Sequence, residues 1–390
     1  MTVEVVSLGC RLNISESEEM RGLLAQSDNL VVVNSCAVTS EAVRQTRQTI
    51  RRARKANPDA RLLVTGCAAE VERDMLSAMP EVDGLIPNAV KLDPRAWNVP
   101  PALPRERARY TRAFVQVQNG CDHSCTFCVI PQGRGPSRSR QIEDVLSDLS
   151  RHVDAGINEV VLTGVDLTSW GADLNGTPNL GILCAAILDT FPRLPRLRLS
   201  SIDGAEVDDR LFDLLAYEPR MMPHVHLSLQ SGDDLILKRM KRRHSRADAI
   251  DLVGRLRDAR PGLGLGADII AGFPTEDDAM HASNLSIISE LGIVHGHIFP
   301  FSPRPGTPAA RIAPVEPAIV KKRAAELRKA VADERKKWLK SMIGKPMNVL
   351  AEKDGTGHSE NFAPVRLNKS ATPGSIVSIT PTQLAEGFLA

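Results

Sequence analysis

Apolar residues in the first hundred positions fall in three short runs, each followed by a longer stretch of mixed polarity. Val3-Glu4-Val5-Val6-Ser7-Leu8-Gly9 reads as a strand, as do Asn29 to Ser35 and Arg61 to Gly66. Each run ends at a cysteine: Cys10, Cys36 and Cys67. Helix-like segments follow, with Ser15 and Ser17 expected to cap the first and Thr39 and Ser40 the second. Alternating strands and helices predict a parallel sheet with helices on its faces. Ligands in such sheets collect at the carboxyl ends of the strands. The three cysteines, far apart in sequence, are therefore expected to converge on one point. The competing reading makes them buried small apolar groups, which their equivalent placement disfavours.

Pro87 to Arg109 is rich in proline and arginine and reads as a linker. A second series of strands then begins: Phe114 to Gln118, Glu159 to Asp166, Arg196 to Asp203, Val225 to Gln230, Leu265 to Gly272 and His295 to Phe301. Helical patterns between them include Asn179 to Thr190, Val207 to Tyr217 and Asp277 to Leu291. Six such units predict a partial, open βα barrel with its function in the loops after the strands. Pro314 to Ile343 reads as a long basic helix. From Met347 onward, short apolar stretches alternate with Gly and Pro turns, which predicts a small β-barrel of roughly fifty residues. The expected organisation is thus α/β in three parts. These are a Rossmann-like parallel sheet over residues 1–99, the open barrel over 110–340 and the small barrel over 341–390.

The chain has 390 residues, 42% hydrophobic and 25% charged, as in ordinary soluble globular proteins. No apolar run reaches the length of a membrane span, and Met1 to Cys10 lacks the pattern of a signal peptide. A cytoplasmic protein is expected, in which seven cysteines point to metal or catalysis rather than disulfides. Net charge is +2, so nucleic-acid contact must come from local patches. Candidates are Arg44, Arg47, Arg51, Arg52, Arg54 and Lys55 on the second helix, and Lys238 to Arg246 with Lys241, Arg242 and Arg243. Each also reads as a solvated charged face.

The chemistry concentrates in Cys121-Asp122-His123-Ser124-Cys125-Thr126-Phe127-Cys128. Three thiolates at this spacing can hold three irons of a cubane cluster. No fourth cysteine lies nearby, so one iron stays open to a ligand that is not protein. Zinc is the rival reading, but its sites usually pair cysteines in two sets or add histidine, and His123 reads as a loop residue. Cys10, Cys36 and Cys67 would make a second open-site centre. Cys184, within Ile182-Leu183-Cys184-Ala185-Ala186-Ile187, reads as an inert core thiol. Asp268 sits in an apolar strand, where a carboxylate is costly unless paired.

The Cys121–Cys125–Cys128 spacing, with Phe127 before its last cysteine, resembles the radical S-adenosylmethionine (SAM) enzymes. That resemblance implies a 4Fe-4S cluster whose open iron binds SAM and cleaves it to a 5′-deoxyadenosyl radical. Asp166, Ser228, Gln230 and Asp268 then fall where a SAM pocket needs polar groups. Of Arg134, Arg138 and Arg140 beside the loop, Arg138 is the candidate for the SAM carboxylate.

More of the chain resembles one branch of that superfamily, the methylthiotransferases. The motifs are Leu8-Gly9-Cys10-Arg11-Leu12-Asn13, Asn34-Ser35-Cys36-Ala37-Val38-Thr39, Thr65-Gly66-Cys67, Arg198-Leu199-Ser200-Ser201-Ile202, Leu227-Ser228-Leu229-Gln230-Ser231-Gly232, Ala267-Asp268-Ile269-Ile270-Ala271-Gly272-Phe273-Pro274 and Phe301-Ser302-Pro303-Arg304-Pro305-Gly306-Thr307-Pro308. Gly357-His358-Ser359-Glu360-Asn361-Phe362 looks like the family's RNA-binding TRAM domain. The resemblance implies a second 4Fe-4S cluster on Cys10, Cys36 and Cys67, and an electron donor such as flavodoxin or ferredoxin. It implies methylthiolation of threonylcarbamoyladenosine beside a tRNA anticodon. Asp203-Gly204 departs from the usual Glu-Pro, and Ser35 from the usual threonine. The alternatives are isopentenyladenosine in tRNA, a ribosomal protein side chain or, from another class, a two-cluster electron carrier.

Overall fold

The computed structural model describes residues 3–100, 111–367 and 371–390. Its described residues divide into two compact units. The first takes Met1–Arg109, Asn119–Arg138 and Ser302–Arg311; the second takes Tyr110–Gln118, Ser139–Phe301 and Ile312–Ala390. The cysteine loop therefore belongs to the same unit as Cys10, Cys36 and Cys67.

In the first unit, Glu4–Ser7, Leu30–Ser35, Arg61–Gly66 and Gly84–Leu85 form a parallel sheet in chain order. Val31, Val33, Leu62 and Val64 pack on one side against helix Ser40–Ala56, while Val5, Val32 and Leu63 pack on the other with Met20 and Leu24. Apolar residues on both faces of each strand explain the continuous hydrophobic runs. Thr39 caps the second helix as expected, its side chain accepting from the Ala42 amide. The first helix starts earlier than its serines suggest, running Arg11–Leu23 directly from Cys10. Ser15 and Ser17 are buried inside it, and the Ser17 hydroxyl accepts from Asn34. Much of the expected linker is also folded. Two short 3-10 turns, Asn88–Val90 and Pro94–Trp97, seat Asn88, Lys91 and Trp97 in this unit. The part of that linker at 101–110 lies outside the described residues.

In the second unit, Ala113–Gln116, Glu159–Thr163 and Arg196–Leu199 make one parallel sheet, and His224–Gln230, Gly264–Ala271 and His295–Pro300 another. A parallel bridge between Ile202 and Leu227 joins them. These are the six expected strands, with the largest shortfalls in two of them: one stops at Thr163 rather than Asp166 and the next at Leu199 rather than Asp203. Along all six, alternate residues such as Val115, Leu162, Leu197, Leu227, Ala267 and Ile298 enter one apolar core under the helices. Their neighbours on the other face are largely polar: Glu159, Arg196, Arg198, His224, His226, Asp268, His295 and His297. The alternation is that of half-buried strands, and it leaves the barrel a polar inner face.

Helix Pro317–Lys340 packs on the same unit through Ala324, Leu327 and Val331. The C-terminal segment forms a six-stranded, mostly antiparallel sheet. Phe362, at φ 69°, stacks on His358 with ring centres 4.3 Å apart. The Arg198 guanidinium lies 4.9 Å from its centre. Below that ring, Glu159 receives Arg112 and Arg198 at 3.0 Å and Arg196 at 3.4 Å.

Candidate metal centre and polar lumen

Cys10, Cys36 and Cys67 leave the ends of three adjacent parallel strands, as the sequence predicts. Glycines make the approach possible. Gly9 has φ +92°, and a Cβ on it would lie 2.8 Å from Cys36 Sγ. Gly66 has φ +90°, and a Cβ there would meet the Ser35 carbonyl at 2.5 Å. Cys36 and Cys67 are buried and Cys10 is exposed, so the trio is closed behind and open in front. Burial pushes the Cys36 thiol up to about 11, the Val38 amide opposes it, and the neighbouring Cys67 and Cys10 sulfurs raise it further. Burial also raises Cys67 against the pull of Arg134 and Lys91, with Cys10 adding to the rise. Two buried sulfurs that resist ionisation suit a cationic metal core, which stabilises thiolates. The donor set is all sulfur, and the other cysteines of this unit among the described residues, Cys121, Cys125 and Cys128, form a trio of their own, which fits a cubane cluster better than a closed zinc site.

The second trio sits on a loop fixed by main-chain bonds. The Cys121 amide donates to Gly135 O at 3.2 Å, and the Cys128 amide to Cys125 O at 3.1 Å. The Ile130 amide donates to Cys128 Sγ at 3.4 Å. The Ala309 amide reaches Thr126 O at 2.9 Å, tying Ser302–Arg311 to the loop. Gly120 is obligatory, because a Cβ would stand 1.8 Å from Pro136 O. All three cysteines are half-buried.

Behind the first trio lies a buried ionic network that sequence reading misses. Lys91 Nζ donates to Glu16 Oε2 at 2.5 Å and to Asn34 Oδ1 at 3.2 Å. Arg134 donates to both Glu16 oxygens, at 2.8 and 3.2 Å, and to Asn13 Oδ1 at 2.5 Å. Asn13 in turn donates to the Leu8 and Ser35 carbonyls beside Cys10 and Cys36. Burial pushes the Glu16 carboxyl up, but Lys91 and Arg134 outweigh it and hold it below its ordinary value. Arg134 is thus not available to a SAM carboxylate. Arg140 is committed too, at 3.1 Å from Asp148 and 2.9 Å from Gln116 O. Arg138 remains exposed in the first unit, its guanidinium 3.3 Å from Arg134 O.

The other expected SAM-pocket residues belong to the second unit. Asp166 follows strand Glu159–Thr163 and accepts from the Ser169 hydroxyl at 2.8 Å. Its amide and that of Val165 donate to Gln118 Oε1 at 2.9 Å. Ser228 and Ser201 share a hydrogen bond of 3.0 Å. Gln230 closes its strand at φ 71°, a left-handed conformation for a residue with a side chain. Asp268 is hydrogen-bonded: His226 Nε2 is 3.0 Å and His297 Nδ1 3.1 Å from one oxygen. Burial pushes this carboxyl up, yet the two imidazoles bring it well below the usual range. The signal for the histidines was present. His224-Val225-His226 and His295-Gly296-His297 repeat at the strand period and so face one side.

The Asp203-Gly204 departure also has a structural role. Asp203 is buried, with Arg242 at 2.9 Å, Arg243 at 3.0 Å and His244 at 3.6 Å. Arg243 reaches Glu206 as well. Arg242 is therefore an internal partner rather than a solvated charge, while Arg243 pairs with these carboxylates from an exposed position. Cys184 is fully buried in the barrel core, and burial pushes its thiol up to about 12.

A three-cysteine loop in the first unit and an open βα barrel in the second define the class of this protein. A profile of the Radical SAM superfamily matches residues 115–284, and one described as "Uncharacterized protein family UPF0004" matches residues 2–87. Among solved structures, the radical S-adenosylmethionine methyltransferase TsrM from Kitasatospora setae shares the fold at a TM-score of 0.56. The two are 16% identical, and the match covers 76% of this chain and 68% of that one. The "Threonylcarbamoyladenosine tRNA methylthiotransferase MtaB" of Rickettsia prowazekii is 45% identical over 99% of this chain and 96% of its own. Its namesake in Thermotoga maritima is 33% identical, covering 90% and 86% respectively. A "tRNA-2-methylthio-N(6)-dimethylallyladenosine synthase" of Anaplasma marginale is 29% identical over 95% of this chain and 90% of its own. The chain belongs to the MtaB family of radical SAM methylthiotransferases.

Proposed function

We propose that this enzyme adds a methylthio group to carbon 2 of threonylcarbamoyladenosine next to a tRNA anticodon. The observation that carries the reading is the presence, in one unit, of two three-cysteine sets, each one thiolate short of closing a four-iron cluster. Cys121, Cys125 and Cys128 would hold the 4Fe-4S cluster that binds SAM, and Cys10, Cys36 and Cys67 a second 4Fe-4S cluster. When bound, the first cluster would supply the electron that cleaves SAM to the radical removing hydrogen from carbon 2, the second cluster would carry the sulfur, and a second SAM would supply the methyl group. The chain's own residues fix the geometry. Gly9, Gly66 and Gly120 permit the close backbone approach, and main-chain amides hold the central loop. Asp166, Ser228, Gln230 and Asp268 are the proposed polar contacts of SAM or the base within the second unit, with Arg138 on the first.

The names of the relatives favour threonylcarbamoyladenosine over isopentenyladenosine, since the former carries the higher identities. We assign residues 1–99, 110–340 and 341–390 to the second-cluster domain, the radical SAM core and a TRAM-like RNA-binding domain. A reductant of the flavodoxin or ferredoxin type would feed the central cluster. No helix among the described residues is long and apolar enough to cross a membrane, and a cytoplasmic site of action follows from a tRNA substrate. The test is nucleoside mass spectrometry of tRNA with and without the gene. The reading predicts loss of the 2-methylthio derivative and accumulation of its precursor. Unchanged nucleosides, with a methylthio mass on a ribosomal protein, would transfer the activity to a protein side chain.

A further inference from the structure

Arg134 lies six residues beyond the last central cysteine, yet its guanidinium is spent on the other cysteine set. It ends helix Ile130–Arg134, whose backbone packs against Cys67: a Cβ on Gly133 would stand 3.2 Å from Cys67 Cβ. Asn88 pins this segment by donating to Gly133 O at 2.6 Å. Arg134 itself is 5% exposed, Glu16 and Lys91 each 1%. One carboxylate thus faces two basic side chains; burial lowers the Lys91 amine against the pull of Glu16, and the Arg134 guanidinium stays a fixed buried cation beside Cys67. The field of that charge reaches all three thiols. Arg134 lowers Cys36 and Cys67, and Cys67 and Cys10 act back on Arg134.

Structural economy does not explain this arrangement. Burying an ion pair costs desolvation that apolar packing avoids, and an excess charge costs more. The cost is offset if a net-negative group sits in front of it. A cubane held by three thiolates is net negative and becomes more so on reduction. Buried charge and hydrogen bonding are among the levers that set cluster potentials, and in a low-dielectric interior a fixed cation acts strongly.

We propose that Arg134, oriented by Glu16 and seconded by Lys91, is a positioning residue supplying the buried counter-charge of the Cys10–Cys36–Cys67 cluster. It holds that cluster's reduction potential up. It also ties the second cluster electrostatically to the segment that carries the SAM-binding loop. The proposal rests on the reading that these cysteines hold a cluster, and the experiment separates the two.

In a full-length chain with Cys121, Cys125 and Cys128 replaced by alanine, the remaining cluster is titrated anaerobically and followed by EPR. Iron and sulfide are counted in parallel. Arg134→Gln is expected to keep the cluster and move its midpoint to a more negative potential. Lys91→Met, which removes the second cation at another point of the network, is expected to move it the same way. Arg134→Lys keeps the charge and should stay close to the parent, an outcome that a purely structural role for Arg134 does not predict. Clusters present with unmoved potentials in both neutral variants would overturn the proposal alone. A shift in Arg134→Lys as large as in Arg134→Gln would overturn the charge account. A parent chain without any cluster would overturn the reading of the cysteines, and the proposal with it.

Discussion

At the scale of single residues, the two cysteine sets are expected to separate in their effects. Cys121→Ala should abolish reductive SAM cleavage, measured as 5′-deoxyadenosine released under dithionite. Cys36→Ala should leave that cleavage in place while the methylthio product disappears. Product from the Cys36 variant would reverse the assignment of roles. Glu159 carries a different prediction. Burial pushes its carboxyl up, but Arg198, Arg112 and Arg196 outweigh this and hold it at about 2 against an ordinary value of 4.5. A depressed carboxyl stabilises the fold above its unfolded value and loses that contribution as pH falls toward its folded one. The stability difference between wild type and Glu159→Gln should thus be full above pH 4.5 and shrink on the way down to pH 2. Leaving the buried Arg196 and Arg198 guanidinium groups without their carboxylate should cost about 3–5 kcal/mol near neutrality, read from denaturant midpoints. A difference that does not change with pH would deny the carboxylate this role.

At the scale of elements, the strand–helix alternation and the grouping of six cysteines into two trios in one unit were legible, because strand ends and loop spacing are local properties. What escaped was set by packing at long range. Arg134 and Glu16 are 118 residues apart and Lys91 and Glu16 are 75 apart, so no local pattern joins them. Lys91 was hidden in a proline-rich stretch that reads as a linker but is folded against Trp97, whose indole donates to Lys91 O at 2.8 Å. Ser15 and Ser17 look like caps, yet the helix already starts after Cys10, and both serines are buried within it, Ser17 accepting from Asn34. Arg242 reads as a surface charge until Asp203 is seen beside it. At the element joints, the glycines decide. Gly66→Ala should strain a left-handed turn and drive its Cβ into Ser35, displacing Cys67. Purified Gly66→Ala is therefore expected to lose one of two clusters by iron count while retaining SAM cleavage. A full iron complement would show that the turn relaxes.

At the scale of the whole molecule, a net charge of +2 leaves RNA binding to local surfaces rather than to a general field. The C-terminal sheet is fixed to the barrel strands through Phe362, which rests on His358 and under Arg198. Phe362→Ala should loosen that sheet, giving earlier proteolytic cleavage after residue 340 while the iron content stays unchanged. An unaltered cleavage pattern would mean the sheet is held elsewhere.

The central claim is that a chain with two open cysteine sets modifies threonylcarbamoyladenosine in tRNA. The most direct measurement incubates the reconstituted enzyme, with SAM and a reductant, with tRNA that carries threonylcarbamoyladenosine and no methylthio group. The tRNA is then digested and its nucleosides weighed. The account predicts 2-methylthio-threonylcarbamoyladenosine from wild type and none from Cys36→Ala. Active SAM cleavage with no methylthio nucleoside from wild type, on this tRNA, would contradict it.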